Sequence, residues 1–169
     1  HANDIACEAE LGSVMGHEGA GANMDYEEIF RTKKGFTDLG EAKQFAEETK
    51  CDWLSVAVGS IHGAIAEGVR NQKKPEARLD IEHIADLSKV TGIPLVLHGG
   101  SGPSDDDFRN TVAGGISKIN VFTDVILAAK RAIAEHPDAG YTDLNLLAED
   151  AMVEATVRKL ELFGGCGKG

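Results

Sequence analysis

Two histidines in this chain share one local setting. His62 lies in Gly59-Ser60-Ile61-His62-Gly63, at the close of the apolar run Trp53-Leu54-Ser55-Val56-Ala57-Val58. His98 directly follows Ile93-Pro94-Leu95-Val96-Leu97 and precedes Gly99-Gly100. A neutral imidazole suits zinc, and an adjacent glycine lets backbone and substrate approach closely. Two histidines are still only part of a catalytic zinc site, which takes three protein ligands and an open position. The alternative is a pair of ordinary half-buried histidines.

Phosphate chemistry is the second candidate. Gly99-Gly100-Ser101-Gly102 leads toward a helix start, so its backbone N–H groups and the Ser101 hydroxyl could cradle an anion. Asn120-Val121-Phe122-Thr123 also runs into a helix N-terminus. A glycine-rich loop alone is most simply a turn; the pairing with 120–123 is what strengthens it. The stretch 12–21 could be a lid with glycine hinges, carrying Glu18 as an acid/base on closure, or merely a solvated carboxylate. His17, His83 and His136 read as structural or solvated. Cys7 and Cys51 read as small buried hydrophobes, Cys166 as an unactivated thiol. The acids at 105–107 read as a helix start.

These residues need elements to hold them. Strand-like runs cover 5–11, 53–58, 93–97 and 115–121, each followed by a helical pattern. Asp38, Asp80 and Ser104 are expected as helix caps, with Thr123 or Asp124 capping a helix from Val125 to about His136. A last helix is expected from about Asp143 to Phe163. Strand then helix, four times over, predicts parallel strands joined by crossovers. Glu10, His62, His98 and Asn120 then fall at the C-terminal ends of strands, the rim where parallel α/β folds assemble their sites. A doubly wound sheet and half of an eight-stranded barrel both fit.

Composition narrows the partners. The chain has 169 residues, 17 Lys+Arg and 28 Asp+Glu, a net charge of −11, and no basic run. That argues against nucleic acid and anionic membrane. An apolar share of 42% supports a real core. No apolar run approaches the roughly 20 residues that cross a bilayer. The opening His1-Ala2-Asn3-Asp4 lacks a signal-peptide pattern. Three cysteines without a CxxC pair read as reduced thiols, so a cytoplasmic location is expected.

Four segments together resemble the class II, zinc-dependent ketose-bisphosphate aldolases, the family of the fructose- and tagatose-bisphosphate enzymes. They are Glu8-Ala9-Glu10-Leu11-Gly12, Gly59-Ser60-Ile61-His62-Gly63, Leu95-Val96-Leu97-His98-Gly99-Gly100-Ser101-Gly102 and Lys118-Ile119-Asn120-Val121-Phe122-Thr123. The resemblance covers nearly the whole chain, with motifs in family order. It implies an α/β fold of the TIM (β/α)8 barrel family, this chain supplying about the last four β/α units plus C-terminal helices, in one partial barrel domain over 1–169.

The resemblance also implies roles. His62 and His98 match two zinc ligands, and Glu10 a carboxylate that binds metal in an alternative or second position. Gly63, Gly99, Gly100, Ser101, Asn120, Val121, Phe122 and Thr123 match the segments that hold dihydroxyacetone phosphate. Glu18 matches the proton-transfer glutamate, although Met15 and Gly19 depart from the usual pattern there. A Na+ or K+ ion beside the phosphate is implied as well. The implied reaction is aldol cleavage of a ketose 1,6-bisphosphate. The family's third zinc histidine belongs to an Asp-His pair on an earlier strand, so the chain is expected to be the C-terminal portion of such an enzyme. A non-catalytic sugar-phosphate-binding half-barrel and an assembly subunit are the other readings. Self-association to a dimer or higher is expected, because a half-barrel leaves strand edges open.

Overall fold

The computed structural model of the chain describes residues 1–13, 26–60, 78–100 and 103–168. Glu18, His62, Gly63 and Ser101 lie outside the described residues. The element order is β1 (Glu8–Leu11), α1 (Tyr26–Thr32), α2 (Leu39–Thr49), β2 (Trp53–Val56), α3 (Ile81–Thr91), β3 (Leu95–Leu97), α4 (Asp105–Gly114), β4 (Ile116–Ile119), α5 (Thr123–Glu135) and α6 (Tyr141–Leu162). By contacts the chain forms two units, His1–Asn120 and Val121–Gly169.

The first unit is a four-stranded sheet in the order β1-β2-β3-β4, every neighbouring pair parallel. Register sorts the strand residues into two faces, because side chains alternate along a strand. Ala9, Leu54, Leu95 and Ile116 stand in one row across the sheet. Of these, Leu54, Leu95 and Ile116 join Val56 and Leu97 in a core completed by Ala42 and Ala46 of α2, Ile84 and Leu87 of α3, and Phe108 of α4. Glu10, Ser55, Val96 and Lys118 form the neighbouring row on the opposite face.

Lys118 reaches that row through an irregularity. The register slips between Leu95 and Val96, so that Ile116 pairs with Leu95 but Lys118 pairs with Val96. Ser117 is the extra residue. A regular strand would put Lys118 on the same face as Ile116; the bulge turns it over.

Helix ends follow their sequence signals. Asp38 accepts from the N–H groups of Gly40 and Glu41, and Asp80 accepts from His83. Ser104 and Asp107 form a reciprocal capping box, which accounts for the acids at 105–107. Gly92, in the left-handed conformation, ends α3.

Three expectations need correction, and α1 is a helix that the sequence patterns did not indicate. The strands are shorter than the apolar runs at one or both ends. Cys7 is exposed, since it precedes β1 rather than lying within it. Neither Thr123 nor Asp124 caps α5: the helix begins at Thr123, Phe122 takes the cap position, and no side chain bonds there.

In the second unit α5 and α6 pack on each other. The Lys159–Asp124 ion pair, 2.8 Å, ties the end of α6 to the start of α5, so the two run antiparallel. Neither helix has a fully buried residue.

Candidate functional site

The polar face of the sheet carries a connected set of charges. Glu8 and Glu10 are two apart on β1 and therefore share a face. His98, just beyond β3, lies between them: its Nδ1 is 2.8 Å from Glu10 Oε2, and its Nε2 is 3.1 Å from Glu8 Oε1. The other Glu8 oxygen, Oε2, accepts from Lys118 Nζ at 2.7 Å. On a flat sheet with strands about 4.8 Å apart, β1 and β4 would stand roughly 14 Å from each other. Direct contact between Glu8 and Lys118 requires a sheet curled toward this face.

The two glutamates are held differently. Glu8 has a side-chain exposure of 25% and a partner at each oxygen, His98 at Oε1 and Lys118 at Oε2. The Lys118 hydrogen bond holds its carboxyl below the usual glutamate range; partial burial opposes this, and His98 adds to the lowering. Glu10 has a side-chain exposure of 43%, against 19% for His98. Buried on the same face, between Glu10 and Val96 in register, is Ser55, whose Oγ has no hydrogen-bond partner among the described residues.

The rim is fixed by backbone bonds. Asn120 N–H donates to Leu97 O, and Gly100 N–H donates to Asn120 O, both at 3.0 Å. These join the ends of β3 and β4 immediately behind His98, and they commit the Gly100 amide to the backbone. At the ends of β1 and β2 the buried Thr37 hydroxyl donates to Leu11 O at 2.6 Å and accepts from Ala57 N–H at 2.8 Å. His83 Nε2 lies 2.7 Å from Thr37 O, which makes this histidine structural. Val121, Phe122 and Thr123 belong to the second unit, with Phe122 well exposed.

Glu10, His98, Gly99, Gly100 and Asn120 therefore gather at one end of the sheet. Sequence reasoning missed Glu8 and Lys118 as site residues. The Glu-x-Glu spacing could have pointed to Glu8, since period two on a strand puts both carboxylates on one face. Lys118 carried no such signal, because its face depends on the bulge.

An imidazole nitrogen beside a carboxylate oxygen is a donor set that zinc accepts. His98 and Glu10 provide one. Among the described residues no group of three or more His, Cys, Asp or Glu is placed to hold a metal ion. A third donor would come from outside them, where His62 lies.

The family described as class-II fructose-bisphosphate aldolase matches residues 1–168. The chain belongs to the class II fructose-bisphosphate aldolase family. A curated relative is the uncharacterized protein YdjI of Escherichia coli K12, 36% identical over 168 residues, which are 99% of this chain and 55% of the relative. The crystal structure of the YdjI aldolase superimposes with a TM-score of 0.78 at 33% identity, covering 99% of this chain and 53% of that one. A putative fructose-1,6-bisphosphate aldolase from Coccidioides immitis gives 0.74 at 26% identity, over 99% and 55% of the two chains. The chain thus spans about half the length of the relatives it matches. Its parallel four-stranded sheet with helices has the α/β fold of a partial TIM barrel. Among the described residues, no helix is long and apolar enough to cross a membrane.

Proposed function

We propose that the protein catalyses reversible, zinc-dependent aldol cleavage of a ketose 1,6-bisphosphate, fructose or tagatose, to dihydroxyacetone phosphate and glyceraldehyde 3-phosphate. Residues 1–169 would contribute about the last four β/α units of its single barrel domain. The observation that carries this reading is the 2.8 Å approach of Glu10 to His98 Nδ1 at the strand-end rim of a class II aldolase chain.

His98 and His62 would hold the zinc, with Glu10 as the alternative or second-position ligand. When bound, zinc supplies Lewis acidity at the substrate carbonyl. The remaining work belongs to the chain's own groups. Gly63, Gly99, Gly100, Ser101 and Asn120 to Thr123 bind and orient the dihydroxyacetone phosphate end, Gly100 by close backbone approach because its N–H is taken by Asn120 O, with Na+ or K+ beside the phosphate. The start of α5, where the cap residue Phe122 makes no side-chain hydrogen bond, supports this assignment, since a helix start without a side-chain cap suits an anion. Glu18 moves a proton at the carbon next to the carbonyl. A cytoplasmic homo-oligomer fits the acidic composition and reduced thiols.

The test is cleavage of each ketose bisphosphate by the full-length gene product, followed through release of dihydroxyacetone phosphate. Expected are activity with zinc, loss on chelation, and recovery when zinc is returned. Glu18→Gln should lower kcat about 10²–10⁴-fold. Saturable sugar-phosphate binding without cleavage by the zinc-loaded protein would replace this reading with a non-catalytic binding module.

A further inference from the structure

The geometry assigns Glu8 as the positioning residue for His98: anchored by Lys118, it takes the Nε2 side of the ring and leaves Nδ1, on the Glu10 side, for the metal. This inference rests on the functional reading above only in that the metal is zinc at His98.

Both ring nitrogens of His98 face a carboxylate, so one of them must be vacated before a metal can bind. The two carboxylates are not equally free to leave. Glu8 Oε2 is tied to Lys118 at 2.7 Å while Oε1 sits 3.1 Å from Nε2, and its side chain is largely covered. Glu10 is the more exposed of the two, and its contact is to Nδ1. A ligand histidine whose second nitrogen donates to a carboxylate is fixed in both tautomer and ring orientation, and the carboxylate raises its basicity. Glu8 supplies that carboxylate. Lys118 supplies a fixed point, because the bulge at Ser117 places its ammonium on the site face of β4. One carboxylate thus links the first, third and fourth strands of the sheet at the ring that faces the metal.

The experiment uses the full-length gene product labelled with 15N in its histidines and loaded with 113Cd, together with zinc affinity measured by chelator competition. Expected in the wild type is cadmium–nitrogen coupling at Nδ1 of His98. Glu8→Gln should weaken zinc binding about 10–100-fold, with circular dichroism unchanged. Lys118→Met, which leaves both contacts to His98 in place, should weaken zinc binding by less and serves if Glu8→Gln does not fold. For both variants kcat should fall with KM for the bisphosphate little changed. Coupling at Nε2, or unchanged zinc affinity in the Glu8 and Lys118 variants, would overturn the assignment. Zinc bound through Nδ1 without aldol cleavage would overturn the reaction and leave the role of Glu8 standing.

Discussion

Asp80 shows how much one carboxylate can organise, and it lies apart from the proposed chemistry. Its Oδ1 accepts from His83 N–H at 3.0 Å to cap α3, and its Oδ2 pairs with Lys33 at 2.8 Å. Burial pushes its carboxyl up, but the Lys33 hydrogen bond and the His83 amide outweigh it, so the pKa is lowered from 3.8. A lowered carboxylate contributes stability that is fully present above the unfolded value and is lost as pH falls through the lower folded value. Asp80→Asn keeps a capping side chain but loses the charge. The variant should therefore be less stable than the wild type at neutral pH, with the gap closing below about pH 3.8. Urea midpoints across that range check this; a gap independent of pH would contradict it. Residue types alone made Asp80 legible as a cap, and His98 and Glu10 as rim residues. Lys33 and Lys118 were not legible, because their roles depend on a turn and a bulge that bring distant chain together.

At the scale of elements, the alternation of strand and helix was readable because apolar runs and capping residues repeat in phase. Strand lengths were not. The run at 5–11 begins before parallel pairing starts at Glu8, and that at 115–121 extends beyond β4 at both ends, so pairing rather than hydropathy bounds a strand. The helix α1 was missed since its only outward signal is a short stretch between glycine-bearing segments. The junction of α4 with β4 gives a sharper test of packing. Gly115 has φ of 124°, and a Cβ there would lie 2.5 Å from Ser88 Oγ and 2.7 Å from Ser88 Cβ on α3. Gly92 also has a positive φ, 63°, but nothing stands within 4 Å of its added Cβ. Gly92→Ala should cost about 1–2 kcal/mol from the left-handed backbone alone. Gly115→Ala should cost more, since α3 must also move away from β4. Chemical denaturation of the two variants decides it; equal losses would show that α3 yields freely.

For the molecule as a whole, the open question is what covers its exposed apolar surface. In the first unit, β1 and β4 are the outer strands of the sheet, each with a strand partner on one side only among the described residues. Trp53, in register with Glu8 on the polar face, is 38% exposed. In the second unit Ile126, Leu127, Leu146, Val153, Val157 and Leu160 are exposed on α5 and α6. Open edges template further pairing, and exposed apolar side chains that gather on one surface mark association sites. The net charge of −11 opposes nonspecific aggregation, so association must come from these edges and patches. The isolated 169-residue polypeptide should therefore self-associate, with a mass by light scattering at least twice its 17.9 kDa. It should also bind an apolar dye more strongly than the full-length gene product does. A monodisperse 17.9 kDa particle that unfolds cooperatively and ignores the dye would mean that the two units satisfy their own surfaces.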